Sequence, residues 1–119
     1  MGSHIQLSAA DGLQVPAYVA TPATPAKAAV LVIQEIFGVN SHIREVADAY
    51  ASEGFLAIAP AMFQRVQAQV ELGYAEADMG AGMALKTAVE ALPAPGALQD
   101  IQAIEIEAIK NGGNVRVIQ

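Results

Sequence analysis

Apolar positions along this chain gather into short unbroken runs and longer periodic stretches. The clearest run is Val30-Leu31-Val32-Ile33. Three of its four residues are β-branched and no polar side chain interrupts it, which suits a strand covered on both faces. The polar pair Gln34-Glu35 follows, where that strand should end. Ile36 and Phe37 come next, then Gly38, which permits a sharp turn. Asn40 and Ser41 are both N-cap types, and Ser41 is expected to act as the cap. From Ser41 to Glu53 the residues Ile43, Val46, Ala47, Tyr50 and Ala51 recur at helical spacing, with Gly54 at the expected C′ position. Phe55 to Ala59 is a second apolar run, stopped by Pro60. Strand Ala28–Gln34, helix and strand in this order predict a βαβ unit with parallel strands and a right-handed crossover. Glu35 then stands at the C-terminal edge of a central strand, where open α/β sheets bind ligands.

The flanking pattern extends this picture. Ile5–Ser8 and Val15–Thr21 are strand candidates separated by the turn signal Ala10-Asp11-Gly12, and they predict an antiparallel hairpin at a sheet edge. Thr21–Ala26, with Pro22 and Pro25, is a stiff connection. Glu71–Asp78 contains Gly73 and is compatible with a loop or a broken helix. Met79–Leu92 predicts a helix with Met79, Met83, Val89 and Leu92 as its apolar members. Gly80 and Gly82 each cost that helix ~1 kcal/mol against alanine. Pro93-Ala94-Pro95-Gly96 breaks the chain. Ala97–Lys110 predicts a further helix with Leu98, Ile101, Ile104, Ala108 and Ile109 on one side and Ile106 off that stripe. Asn111-Gly112-Gly113 caps it, and Val115–Ile118 is a last strand.

Composition narrows the function classes. The chain has 119 residues, enough for one domain with a single core. Charged residues make up 15%, apolar residues 54%, and mean hydropathy is +0.37. That points to more apolar surface than a single small core needs. The net charge of −6 with no basic block argues against nucleic-acid binding. The absence of cysteine excludes disulfides, thiolate metal sites and a thiol nucleophile within these residues. No apolar run approaches the ~18 residues of a membrane span. Glu71, Glu76 and Asp78 have no histidine partner at ligand spacing, so no metal or other cofactor is expected. Met1-Gly2-Ser3-His4 reads as a cloning remnant, leaving residues 5–119 as a single α/β domain with a cytoplasmic origin as the default.

The block Q-E-I-F-G-V-N (Gln34 to Asn40), followed by S-H-I-R, resembles the dienelactone hydrolase family of α/β-hydrolases. The segments A-Y-V-A-T-P (Ala17 to Pro22) and A-I-A-P (Ala57 to Pro60) also look like that family. The likeness runs from about Ile5 to the last residue and is weak and gapped between about Val66 and Gly96. It implies a mostly parallel sheet of about five strands with an antiparallel N-terminal hairpin and helices on both faces. It further implies strand order 1-2-4-3-5, with the last strand beside the Val30 strand. The chain would then match the N-terminal half of the fold, as a truncated or engineered piece.

The resemblance also implies roles. Glu35 matches the carboxylate that gates ionisation of the nucleophile. Ile36 matches the residue whose backbone N–H is one of two oxyanion-hole donors, each worth ~3 kcal/mol in the transition state. The G-x-C-x-G-G nucleophile elbow would follow Val115–Ile118, and the later aspartate and histidine lie further on. No residue of this chain takes those roles, so the chain alone is expected to be inactive. The parent reaction is hydrolysis of an enol-lactone or carboxylic ester. Arg44 fits the family's N-x-x-x-R pattern but is expected to be a solvated cation, pairing with Asp48. The family's substrate-carboxylate arginine would fall near Gly80–Gly82, where there is none; Lys86 is the nearest cation. His42, Tyr74 and Lys86 remain open candidates for substrate contact, and Arg65 is expected at the surface. A half-fold leaves an apolar edge at Asn114–Gln119, so a homodimer through that strand and the adjacent helix faces is expected. The alternatives are a self-associating structural module and an ester hydrolase with a site of its own at a dimer interface.

Overall fold

The computed structural model describes residues 2–94, 96, 98–112 and 115–118. Eight elements follow one another: β1 (Gly2–Ser8), β2 (Gln14–Ala20), β3 (Ala29–Val32), α1 (Ser41–Ser52), β4 (Leu56–Pro60), α2 (Glu76–Glu90), α3 (Leu98–Gly112) and β5 (Val115–Ile118). They form a five-stranded sheet in the order β1-β2-β4-β3-β5. β2 is antiparallel to both β1 and β4, while β3 is parallel to β4 and β5. Only β2 therefore runs against the other four strands. The strand order is the one the resemblance implies.

The period-2 alternation of the central strands divides the core between two faces. Val30 and Val32 of β3 join Ala57 and Ala59 of β4 on one face, beneath Ile43 and Ala47 of α1. Ala29 and Leu31 join Leu56 and Ile58 on the other, beneath Ile104 of α3. Leu31, Ile58 and Ile104 are fully buried, which explains why these strands carry no polar position. α1 ends in a Schellman motif: Phe55 N–H donates to the Tyr50 carbonyl at 3.1 Å and Gly54 N–H to that of Ala51 at 3.0 Å. Gly54 supplies the positive φ, +96°, that this ending requires.

Several expectations are corrected. β1 begins at Gly2 rather than Ile5, with Gly2 opposite Ala20 and His4 opposite Tyr18. β3 stops at Val32, so residues 33–35 already belong to the loop. Asn40, not Ser41, caps α1: its Oδ1 accepts from Ile43 N–H at 3.1 Å. Arg44 pairs with Glu71 at 3.1 Å, not with Asp48, which accepts from the Tyr18 hydroxyl at 2.6 Å and pushes that phenol's pKa up. α2 starts one turn earlier than expected, and Met79 and Met83 are half exposed instead of lining its buried side. Ile106 is exposed. The expected stripe side chains of Leu98, Ala108 and Ile109, together with Pro95, Ala97, Gly113, Asn114 and Gln119, lie outside what is described.

Arg65 is the largest departure, since it is not a surface cation. Its guanidinium clamps Asp100 in α3 through Nε at 3.0 Å and Nη2 at 2.8 Å. It reaches Asp11 in the β1–β2 turn through Nη1 at 2.6 Å and Nη2 at 3.0 Å. The Arg65 side chain is 12% exposed and that of Asp100 only 1%. One residue therefore ties the hairpin, the segment after β4 and the first turn of α3 together. The hydrogen bond from Arg65 holds the Asp11 carboxyl down at about 2, from an ordinary 3.8. The same partners push the Arg65 pKa up.

Candidate functional site

The loop from residue 33 to residue 40 leaves the C-terminal end of β3 and is held from four sides. Gln34 spans the ends of two strands. Its Oε1 accepts from Met62 N–H at 2.8 Å, just past β4, and its Nε2 donates to the Glu35 carbonyl at 3.1 Å. That carbonyl also accepts from Gly38 N–H at 3.3 Å, and the Phe37 carbonyl accepts from Leu72 N–H at 2.8 Å. Gly38 has φ +87°, and a β-carbon there would collide with the Val70 carbonyl oxygen, so only glycine fits. Asn40 is buried and works at both ends of its side chain, capping α1 and donating through Nδ2 to the Tyr74 hydroxyl at 3.0 Å. The Tyr74 ring in turn meets Phe37 edge-on, with centroids 4.5 Å apart.

α2 supplies the fourth side. Gly82 is its one buried residue, and a β-carbon on it would collide with the Ile36 carbonyl oxygen. The helix therefore rests its glycine directly on the Ile36 backbone, while a β-carbon on Gly80 would meet nothing within 4 Å. What reads in sequence as a cost to helix stability is a close backbone approach at one of the two positions.

Within this frame the Ile36 N–H has no acceptor among the described residues. The Glu35 side chain beside it is exposed and makes no ion pair there. Both border a groove of about 300 Å³, walled by Met62, Phe63 and Val89 and by Lys86 of α2. Ile36, a carboxylate residue and a cationic residue thus line one largely apolar hollow at a sheet's C-terminal edge. A fixed N–H with no acceptor of its own beside such a hollow can stabilise negative charge developing on a bound oxygen. Two larger hollows, about 460 and 340 Å³, lie elsewhere, one by Pro22 and Pro25 and the other by Val70 and Arg44.

Of the sequence candidates, Glu35, Ile36 and Lys86 come together on the groove. Lys86 is half exposed and pairs with Glu90 at 3.1 Å, a surface pair that leaves its ammonium available. His42 is exposed on the first turn of α1 and does not line the groove. Tyr74 is a brace for the loop and lies outside the groove. Sequence reasoning missed Gln34 and Gly82. Gln34 opens the Gln34–Asn40 block that carries the resemblance, but nothing in it beyond a polar residue at a strand end signals a brace. The signal for Gly82 was a glycine persisting in a helical pattern.

Comparison with known proteins follows the same line. The model of the dienelactone hydrolase family matches residues 15–117. A Synechocystis protein whose name proposes a carboxymethylenebutenolidase is 49% identical over 77 residues, covering 64% of this chain and 31% of that protein. A Salmonella typhi protein with the same proposed name is 36% identical over 110 residues, covering 87% of this chain and 37% of that protein. A Klebsiella pneumoniae crystal structure, described as a proposed dienelactone hydrolase, superposes with a TM-score of 0.75 at 27% identity. It covers 98% of this chain and 48% of its own. The chain thus spans about a third of the length of the curated relatives and about half that of the solved structure.

Proposed function

Because the chain belongs to the dienelactone hydrolase family, we propose that it forms the oxyanion-binding half of a hydrolase acting on enol-lactone or carboxylic ester bonds by an acyl-enzyme route. The observation that carries this reading is the Ile36 N–H, which has no acceptor among the described residues and borders the groove beside Glu35. Ile36 donates to the oxyanion of the tetrahedral intermediate. Glu35 faces the nucleophile and gates its ionisation. The nucleophile and the acid–histidine pair that serves it come from outside these 119 residues, which contain no cysteine. This chain alone turns over no ester. Co-expressed with the C-terminal half of a relative, it hydrolyses p-nitrophenyl esters. Turnover by the isolated chain, abolished by Glu35→Gln, would instead support a site of its own across two copies.

A second reading is favoured by one observation: among the described residues β5 pairs with β3 alone and so stands at the sheet edge. An edge strand next to a strand buried along its whole length is a template for another strand. In this reading a second copy adds its own β5 antiparallel, giving a twofold-symmetric dimer with ~800 Å² buried per partner. Light scattering at micromolar concentration tests it, and a monodisperse monomer would count against it.

A further inference from the structure

We infer that Gln34 is a positioning residue that both aims and strengthens the Ile36 N–H. The inference rests on the reading of that N–H as the oxyanion donor. The donor belongs to the Glu35–Ile36 peptide plane, and a trans peptide points its N–H opposite to its C=O. Whatever grips the carbonyl therefore sets the direction of the N–H. Two donors grip it, Gln34 Nε2 at 3.1 Å and Gly38 N–H at 3.3 Å. The Gln34 side chain is itself fixed, because its Oε1 accepts from Met62 N–H at 2.8 Å. Its amide thus spans from the end of β4 to the loop after β3 with both polar ends engaged.

The same contact acts electronically. An amide whose oxygen accepts a hydrogen bond carries more positive charge on its N–H, so bonds in a chain reinforce one another by about 10–30% each. Gln34 therefore polarises the Ile36 N–H before any substrate arrives, which is the preorganisation an oxyanion donor needs.

Two substitutions separate this role from simple packing. Gln34→Glu keeps an acceptor for Met62 N–H and removes the donor to the Glu35 carbonyl. Gln34→Leu removes both. In isotope-labelled full chain, both variants should move the Glu35 carbonyl carbon and the Ile36 amide nitrogen upfield, while the Met62 amide proton moves upfield only in Gln34→Leu, the carboxylate of Gln34→Glu keeping or strengthening that bond. Glu35 and Ile36 resonances unmoved in a folded Gln34→Glu variant would overturn the inference. Should either variant fail to fold, the unsubstituted chain still decides. Side-chain amide protons of Gln34 should exchange more slowly than those of Gln67, which is exposed. Equal rates would overturn it. Failure of the underlying functional reading looks different: ester hydrolysis by the assembled protein would survive deletion of the Ile36 N–H while these resonances still responded.

Discussion

Replacing Gly82 by alanine sets two effects of known sign against each other. A helix gains about 1 kcal/mol when an interior glycine becomes alanine. The new methyl group, however, would collide with the Ile36 carbonyl oxygen and come within 3.1 Å of its carbon. Overpacking of this kind costs about 1–3 kcal/mol, and the upper half applies when the obstacle is backbone that cannot rotate aside. The net expectation is a loss of about 1–2 kcal/mol. Gly80 in the same helix is the internal control, because a β-carbon there meets nothing within 4 Å. Gly80→Ala should therefore gain about 1 kcal/mol. At about 4 °C per kcal/mol for a domain of this size, the two melting temperatures should move in opposite directions. Circular dichroism on heating measures this. Amide exchange along α2 shows whether the helix itself has lifted, since it rests on the loop after β3. A Gly82→Ala protein stabilised to the same extent as Gly80→Ala would refute the account of how α2 seats the Ile36 backbone.

Other expectations follow from the same coordinates. Asp100→Ala leaves the nearly buried Arg65 guanidinium with Asp11 as its remaining partner and should cost about 2–3 kcal/mol by urea denaturation. Glu71→Gln, at the exposed Arg44 pair, should cost under about 1 kcal/mol. The Asp11 carboxyl is held at about 2, below its ordinary 3.8, so its contribution is complete above about pH 4 and is lost as pH falls toward 2. Asp11→Asn should flatten the dependence of the urea midpoint on pH across that window. Asn40→Ala removes the α1 cap, costing about 1 kcal/mol, and frees the Tyr74 hydroxyl, which amide exchange in the first turn of α1 will register.

The sequence made the β3–loop–α1 region legible because its signals are local. An apolar run covered on both faces, a glycine turn, a cap and a helical stripe each act within a few residues, and all are present, the strand ending at Val32 rather than Gln34 and the cap one residue earlier than expected. The order of the strands is not local, and it came through resemblance. The Arg65 clamp was invisible because Asp11, Arg65 and Asp100 are far apart in sequence and meet only once the sheet and α3 are assembled. Met79 and Met83 were misassigned because periodicity assumes that a helix buries its largest apolar residues. α2 instead docks through its smallest, Gly82, so contact with the loop backbone outweighs the apolar stripe. Glu35 and Ile36 were located by resemblance, but the devices that hold them, Gln34 and Gly82, needed coordinates.

The most direct measurement replaces the amide between residues 35 and 36 with an ester, deleting the Ile36 N–H while leaving every side chain in place. It is made in the chain co-expressed with a relative's C-terminal half and read by p-nitrophenyl ester hydrolysis. Loss of a single oxyanion donor should lower kcat by about 10²–10³-fold. Hydrolysis that proceeds equally well without that N–H would contradict the account.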